Sequence, residues 1–132
     1  MKLITRDTDY ALRAIGFIAK NNKSLVSVSE LVRCLKIPRP FLRKLLQILN
    51  KKRVLKSVKG KGGGFSLALY PDKIFLLDLM RIFQGPLKIN ECTFKKRTCP
   101  NIKICRLKKR LDNIQNYVIS ELKSITIADL LK

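Results

Sequence analysis

Three cysteines fall within fourteen residues of one another: Cys92, Cys99 and Cys105. Thiolates bind zinc and iron–sulfur clusters, and they are also sites of reversible oxidation. Three basic residues lie between the first two cysteines, and their charge favours the thiolate form. The Cys-x6-Cys-x5-Cys spacing suits structural zinc poorly, because such sites usually use Cys-x2-Cys pairs. The residues favour an iron–sulfur cluster and leave a zinc site or a thiol redox switch open.

A tetrahedral metal site would need a fourth ligand besides these cysteines, and the chain has no histidine to supply it. The candidates are a carboxylate, a water molecule, a small thiol and the remaining cysteine, Cys34. Cys34 stands beside Val32 and Leu35 in a stretch with helical periodicity. We expect it to be a buried, inert thiol.

A second group of residues could bind nucleic acid. Helical spacing places five residues on one face, opposite a stripe of leucines: Pro40, Arg43, Lys44, Gln47 and Lys51. Arg and Lys can donate to guanine and Gln can pair with adenine, while the run Lys51, Lys52 and Arg53 suits phosphates. The alternative is a basic helix face exposed to solvent. The predicted DNA contacts are Arg39, Arg43, Lys44, Gln47, Lys51, Lys59 and Lys61.

Lys59 and Lys61 belong to a glycine-rich stretch that holds four of the six glycines of the chain, between positions 60 and 64. Glycine allows the backbone to approach a phosphate chain closely. The stretch lacks the Gly-Lys-Ser/Thr ending of a nucleotide-binding loop. It therefore predicts a wing that contacts DNA, and a turn without a ligand is the alternative.

Five elements must position these basic residues. Periodicity predicts a helix over residues 8–20, and Ser27 with Glu30 forms a capping box for a helix that ends at Leu35. Pro40 opens a third helix that runs to about Asn50. Residues 54–59 and 65–69 predict a β-hairpin. Two short helices with a tight turn resemble a helix-turn-helix.

The remaining elements surround the cysteines. The sequence predicts a short helix over residues 74–83 and a loop over residues 87–103. From about Ile104, apolar residues recur at spacings of three and four, the pattern of a helix that packs on a partner. That helix runs to about Leu122, and Thr126 caps a final helical turn. The predicted fold is mostly α with a β-hairpin wing: a winged helix-turn-helix, residues 1–72, and a cysteine loop with a dimerisation helix, residues 73–132, in one compact domain.

Charge and composition narrow the function. The 132 residues include 29 Lys and Arg but 9 Asp and Glu, which gives a net charge of +20. A polyanion is the expected partner. No segment reaches the roughly 18 apolar residues of a membrane span, and the opening residues are unlike a secretory leader. We therefore expect a cytoplasmic protein, with no membrane partner and with reduced thiols.

An enzyme is disfavoured, because the chain has no histidine, no Cys-x2-Cys pair and no evident cluster of acids. A basic RNA-binding structural protein with a zinc-stabilised loop shares the charge. Such a protein would be expected to carry aromatic side chains in basic surroundings for base stacking, and this chain has few of them.

Several motifs together resemble the Rrf-type winged-helix transcription regulators, which include IscR-like and NsrR-like iron–sulfur regulators. The matching motifs are Thr8 to Arg13, Ile37-Pro38, Lys59 to Phe65, the three-cysteine loop with Cys99-Pro100, and Thr126 to Leu130. The resemblance implies a homodimer joined by the long C-terminal helix, and a cluster that sets affinity for a double-stranded DNA operator. Most such proteins repress, and they sense nitric oxide, oxygen, redox state or iron supply.

The resemblance also implies a ligand set: Cys92, Cys99 and Cys105, with Asp9 as an acidic ligand across the dimer. Asp7 is a less favoured candidate. A carboxylate in the first turn of a helix is also favoured by the helix dipole, without any metal.

Some positions depart from the family pattern. IscR-like members have a histidine where this chain has Lys108, so the resemblance favours an acid-ligated 4Fe-4S cluster over a 2Fe-2S cluster. Lys59 stands where the family often has Arg, and Arg43 and Lys44 stand where some members have acidic or amide side chains. The operator sequence of a relative therefore does not transfer to this chain.

Overall fold

The fold was obtained as a computed structural model, which describes residues 2–21, 25–89 and 105–131. It is mostly helical with one antiparallel hairpin, so the predicted fold class is confirmed. A 3-10 turn at Pro71–Lys73 follows the hairpin. The other elements are α1 (Arg6–Lys20), α2 (Val28–Leu35), α3 (Arg39–Lys51), β1 (Leu55–Val58), β2 (Gly64–Leu67), α4 (Leu76–Gln84), α5 (Arg106–Lys123) and α6 (Ile127–Leu130).

Helix α1 is the central helix of the core. It begins two residues before the predicted start, because the Thr5 hydroxyl caps it and accepts a hydrogen bond from the Thr8 backbone N–H at 3.4 Å. Its buried face follows the helical period: Thr8, Ala11, Ala14, Ile15 and Ile18. This face packs against α3, α4 and the hairpin.

Helices α2 and α3 form the predicted helix-turn-helix. The Ser27 hydroxyl caps α2 by accepting from the Glu30 backbone N–H at 3.1 Å. Lys36 ends α2 in the left-handed conformation, with φ of 56°. Pro38 and Pro40 then open α3, whose four leucines at 42, 45, 46 and 49 are buried.

The hairpin pairs Leu55 with Leu67 and Val58 with Gly64, and it turns through Gly60 and Gly62, which both have positive φ. Beside it, Val26 and Phe65 exchange two backbone hydrogen bonds of 2.9 and 2.8 Å. The residues that precede α2 are thereby attached to the wing. A Cβ on Gly64 would lie 2.5 Å from the Val26 carbonyl oxygen, so this attachment requires glycine.

The C-terminal helices pack at two places: α6 joins the core through Ile127, and α5 packs in a second apolar cluster. Leu122 of α5 is buried with Leu76, Leu77 and Met80 of α4. The chain entering α4 pairs with the chain leaving α5: the Leu76 N–H donates to the Ile125 carbonyl at 3.0 Å, and the Ile127 N–H donates to the Ile74 carbonyl at 2.9 Å. Thr126 and Asp129 form a capping box that starts α6, as predicted for Thr126.

One polar side chain joins α4 to the start of α1. The Gln84 Oε1 accepts from the Thr5 backbone N–H at 3.1 Å and from the hydroxyl of the fully buried Thr8 at 2.7 Å. Its amide nitrogen donates to the Leu3 carbonyl at 2.9 Å. Gln84 therefore fixes the segment from which α1 begins.

Within the described parts of the chain, no helix combines the length and the apolar character needed to cross a bilayer.

Candidate nucleic-acid interface and cysteine site

The outer face of α3 carries the side chains predicted to contact DNA. Arg43, Lys44, Gln47 and Lys51 are all exposed, as is Pro40 at the first turn. The leucines on the opposite side of α3 are buried in the core, which fixes the direction in which the basic face points. The basic face is therefore open to solvent along α3.

Arg39 opens the same helix and is held by its neighbour α2. Its Nη2 donates to the Ser29 hydroxyl at 3.1 Å, across the turn between the two helices. Arg39 is exposed, and one hydrogen bond leaves most of its donors available. It therefore remains a candidate phosphate contact beside the face of α3.

Lys59 and Lys61 are exposed at the tip of the hairpin. The hairpin follows α3 after a short connection, in which the Val54 N–H donates to the Leu49 carbonyl and the Val54 carbonyl accepts from Ala68, both at 2.9 Å. Val54 therefore joins α3, which carries the basic face, to the hairpin, which carries the basic tip.

Sequence reasoning missed one basic residue of this region. The Arg6 guanidinium lies over the Phe41 ring, with its carbon 4.8 Å from the ring centroid. Phe41 directly precedes the leucine stripe of α3, and 42% of its surface is exposed. It lies at the edge of that stripe, 100° around the helix from Leu42. No sequence signal links residues so far apart, since only the packing of α1 against α3 brings them together.

Cys105 is the one cysteine of the predicted ligand set that lies in the described residues. It is half-buried at the N-cap of α5, where its sulfur accepts from the Lys108 backbone N–H at 3.4 Å. Cys92 and Cys99 lie outside the described residues. A cysteine at this position links the three-cysteine segment directly to the first turn of the long helix.

Asp9, the predicted acidic ligand, lies in the first turn of α1. Its carboxylate accepts from Arg13 Nε at 3.1 Å in an exposed ion pair. An exposed pair four residues apart on a helix contributes only about 0.3–0.5 kcal/mol. Little free energy would therefore be lost if the Asp9 carboxylate left Arg13 to bind a metal. Among the residues with described positions, no three acidic or cysteine side chains form a group that could hold a metal.

The expectation of a buried Cys34 is wrong, because the thiol is exposed. The apolar stripe of α2 is formed by Val28, Leu31, Val32 and Leu35. Cys34 lies about 110° around the helix from the centre of that stripe, which turns its side chain towards solvent. It is a free thiol that solution reagents can reach.

Helix α5 exposes a row of large apolar side chains to solvent. Leu107 is 68% exposed, Ile114 53% and Tyr117 68%, on a side of the helix that does not pack on α4. Its packed side uses Val118, Ile119 and Leu122 instead. The exposed row is consistent with the spacing predicted for a helix that packs on a partner.

Comparison with known proteins places these features in a family. Residues 4–132 match the Rrf2 family model, described as an iron-dependent transcriptional regulator. The chain is 37% identical over 124 residues to a helix-turn-helix-type transcriptional regulator of Aquifex aeolicus (strain VF5), a match that covers 92% of this chain and 86% of the relative. It is 29% identical to the regulator NsrR of Bacillus licheniformis, with 99% and 92% covered.

The fold is similar to that of CymR, the global cysteine regulator of B. subtilis. The TM-score is 0.79 at 26% identity, and the match covers 99% of this chain and 97% of CymR. The relatives are transcription regulators and not enzymes, which confirms the prediction of a non-enzymatic regulator. The winged-helix architecture, the exposed basic face of α3 and the family match over nearly the whole sequence agree, and the chain belongs to the Rrf2 family of DNA-binding transcription regulators.

Proposed function

We propose that the protein is a homodimeric repressor in the cytoplasm whose affinity for a double-stranded DNA operator is switched by an iron–sulfur cluster. The ligands would be Cys92, Cys99, Cys105 and Asp9 of the partner subunit, and a 4Fe-4S cluster is favoured over 2Fe-2S. Nitric oxide, oxygen, redox state or iron supply would be the signal. Residues 1–72 would bind DNA, and residues 73–132 would carry the cluster and the dimer contact.

One observation carries this proposal: Cys105 caps the same helix that exposes the apolar row at Leu107, Ile114 and Tyr117. The last cysteine of the segment therefore adjoins the surface that a second copy would cover. A change in the bonds of the three thiols would move the first turn of α5, and this movement would alter the dimer contact.

The DNA-binding part of the proposal rests on α3. In a helix-turn-helix dimer, two recognition helices enter major grooves about one helical turn apart, about 34–36 Å, or a multiple of it. Arg43, Lys44 and Gln47 would read base edges, while Lys51, Lys59 and Lys61 would bind phosphates. Because the spacing must match the DNA repeat, a small shift between the two subunits would lower affinity.

The chemistry of the donor set fits an iron–sulfur cluster, since three thiolates and one carboxylate supply four anionic ligands without histidine. A bound cluster would supply iron that reacts with nitric oxide or oxidants. Cys105 would hold it at the first turn of α5, and Asp9 would release Arg13 to reach it. Binding by residues of both subunits would tie the segment 92–105 to the partner's α1, and losing those bonds would change the spacing of the recognition helices.

The first experiment is the absorption spectrum of protein purified without oxygen, with assays of iron and sulfide before and after addition of nitric oxide. We expect a brown protein with visible bands that nitric oxide bleaches. A protein that stays colourless after anaerobic reconstitution and contains zinc or no metal would contradict the cluster. Those results would favour a zinc-based or thiol-based regulator.

The switch itself is tested by comparing cluster-loaded and apo protein on the same operator at fixed salt. Equal affinity of the two forms would refute the switch. Cys99→Ala should remove the visible bands and leave a folded dimer, as judged by circular dichroism and size-exclusion chromatography. If this variant loses its dimer, the proposal that the cluster ligands and the dimer contact are separate is contradicted.

A second candidate, a thiol-based regulator, is favoured by the exposed Cys34 and by the similarity of the fold to CymR, the global cysteine regulator of B. subtilis. Cys34 lies on α2, next to the recognition helix, so its modification would alter the helix-turn-helix directly. If oxidants lower DNA affinity of metal-free protein and Cys34→Ser abolishes this response, the thiol is the sensor. If DNA affinity of the metal-free protein is insensitive to oxidants, this candidate is excluded. A preference for RNA over duplex DNA would instead favour the RNA-binding alternative.

A further inference from the structure

Arg6 and Phe41 form a contact between the first residue of α1 and the first turn of the recognition helix. The guanidinium carbon lies 4.8 Å from the centroid of the Phe41 ring, within the range of a cation–π interaction. Both side chains reach solvent, and 42% of the Phe41 surface is exposed. The ring therefore supports the cation, and both side chains remain accessible from solvent.

The contact borders the predicted DNA-binding face. Residues three apart on a helix are neighbours, so Phe41 stands directly beside Lys44 on α3. A cation stacked on the Phe41 ring extends the row of positive charge from α3 onto the start of α1. When the face of α3 occupies a groove, the flank of the helix adjoins the phosphates that border that groove.

The base of the Arg6 side chain is held in place. The preceding residue, Thr5, is the N-cap of α1, and its N–H donates to Gln84 at 3.1 Å. Stacking on Phe41 orders the outer end of the side chain. An ordered arginine loses less rotamer freedom when it binds a phosphate than an unsupported one does.

The donors of Arg6 are also available. Among residues 2–21, 25–89 and 105–131, no carboxylate forms an ion pair with Arg6. Arg13, two helical turns further along the same side of α1, is instead paired with Asp9. Arg6 thus combines a positive charge, free donors and an aromatic support beside the recognition helix.

We propose that Arg6 is an additional contact to the DNA backbone, which α1 contributes and the Phe41 ring positions against a phosphate flanking the recognition helix. This inference rests on the proposed entry of α3 into the major groove. It adds a residue from outside the helix-turn-helix to the interface. Since phosphates carry no base identity, the contact strengthens binding to every sequence and does not change the sequence preferred.

The test compares the full-length protein with Arg6→Ala on a fluorescein-labelled 30-base-pair duplex of mixed sequence, at salt concentrations from 50 to 200 mM. Removing one phosphate contact should lower the slope of log affinity against log salt by about 0.9. The affinity advantage of the unsubstituted protein over Arg6→Ala should therefore shrink about 3.5-fold across this fourfold salt range. Circular dichroism verifies that both proteins are folded.

Arg81→Ala is the matched control, since Arg81 is an exposed arginine on α4 that loses the same charge. It should leave the slope unchanged. An equal slope for Arg6→Ala and the unsubstituted protein, or an equal loss for Arg6→Ala and Arg81→Ala, would overturn the proposal. If the unsubstituted protein fails to bind the duplex at low salt, the DNA-binding function itself fails, which is a different result.

Phe41→Leu tests the positioning role of the ring. Leucine keeps an apolar side chain on α3 but removes the aromatic face. Arg6→Ala should then cost less affinity in the Phe41→Leu background than in the unsubstituted protein, a coupling measured by a double-mutant cycle. An unchanged effect of Arg6→Ala would show that the ring does not position the arginine.

Discussion

At the scale of single residues, Arg43 and Lys52 are expected to contribute to DNA binding in different ways. Arg43 lies in the middle of the exposed face of α3, and Lys52 is the exposed C-cap of the same helix. Arg43→Ala should change the base preferred at one operator position, with a loss of about 1–3 kcal/mol on the cognate base. Lys52→Ala should weaken binding to all sequences alike and lower the salt slope by about one unit. Binding to a library of duplexes distinguishes the two, and a uniform effect of Arg43→Ala would contradict base reading.

Gln84 is expected to matter more for stability than its position at the end of a helix indicates. Gln84→Ala removes the acceptor of the Thr5 N–H and leaves the buried Thr8 hydroxyl only its 3.1 Å contact with the Thr5 hydroxyl, which should cost about 1–3 kcal/mol of unfolding free energy. Thr8→Val is the control, because it removes the Thr8 hydroxyl together with its hydrogen bonds to Gln84 and Thr5, while the Gln84 Oε1 keeps its donors from Thr5; it should cost about 1 kcal/mol. Urea denaturation measures both. Equal losses would contradict the role of Gln84 as the shared acceptor.

Residue positions that depend on one helix could be predicted, and contacts between two elements could not. The exposed face of α3 follows from helical periodicity alone, so Arg43, Lys44 and Gln47 lie where the sequence predicts. Arg6 and Gln84 act through residues far along the chain, and no local pattern identifies such pairs. The prediction that Cys34 is buried was wrong, because apolar neighbours in the sequence do not show on which side of a helix a residue lies.

At the scale of elements, two glycines should respond in opposite directions to the same substitution. Gly64→Ala brings a Cβ to 2.5 Å from the Val26 carbonyl oxygen, so it should separate the wing from the start of α2 at a cost of about 1–3 kcal/mol. Gly16 lies within α1 with no atom in contact range of an added Cβ. Gly16→Ala should therefore stabilise the protein by about 0.5–1 kcal/mol. Thermal unfolding measures both, and a neutral Gly64→Ala would contradict the close approach.

Three helix starts could be predicted from capping residues or prolines, and one could not. Ser27 and Thr126 start α2 and α6 as expected, and Pro38 and Pro40 mark the start of α3. The start of α1 was placed two residues too late, since Thr5 was not recognised as its cap. The predicted loop over residues 87–103 lies mostly outside the described residues and stays a prediction. The pairing of Val26 with Phe65 had no signal, because an isolated bridge involves too few residues to show alternation.

At the scale of the whole molecule, the exposed row of α5 predicts that assembly and DNA binding depend on each other. Ile114→Glu should convert the proposed dimer to a monomer with unchanged helix content, because it places a charge in the centre of the apolar row. Operator affinity should fall with it, since two linked recognition helices bind two half-sites far more tightly than one. Analytical ultracentrifugation and fluorescence anisotropy measure the two effects.

Asn116→Glu is the matched control, because Asn116 is exposed on the opposite side of α5 and the substitution adds the same charge. It should leave both the oligomeric state and operator affinity unchanged. An Ile114→Glu protein that sediments like the unsubstituted one would show that the apolar row is not the dimer contact.

The β-bridge between Phe75 and Thr126 affects how freely the length of the cysteine segment can vary within the family. The two hydrogen bonds between Leu76 and Ile125 and between Ile127 and Ile74 pin both ends of the stretch that contains the cysteine segment. With the ends fixed, doubling the length of an intervening connection costs only about 0.6 kcal/mol of closure entropy. Insertions and deletions that change the spacing of Cys92, Cys99 and Cys105 should therefore lower the free energy of unfolding of the DNA-binding part only slightly. Family members with different cysteine spacings can therefore share one DNA-binding scaffold.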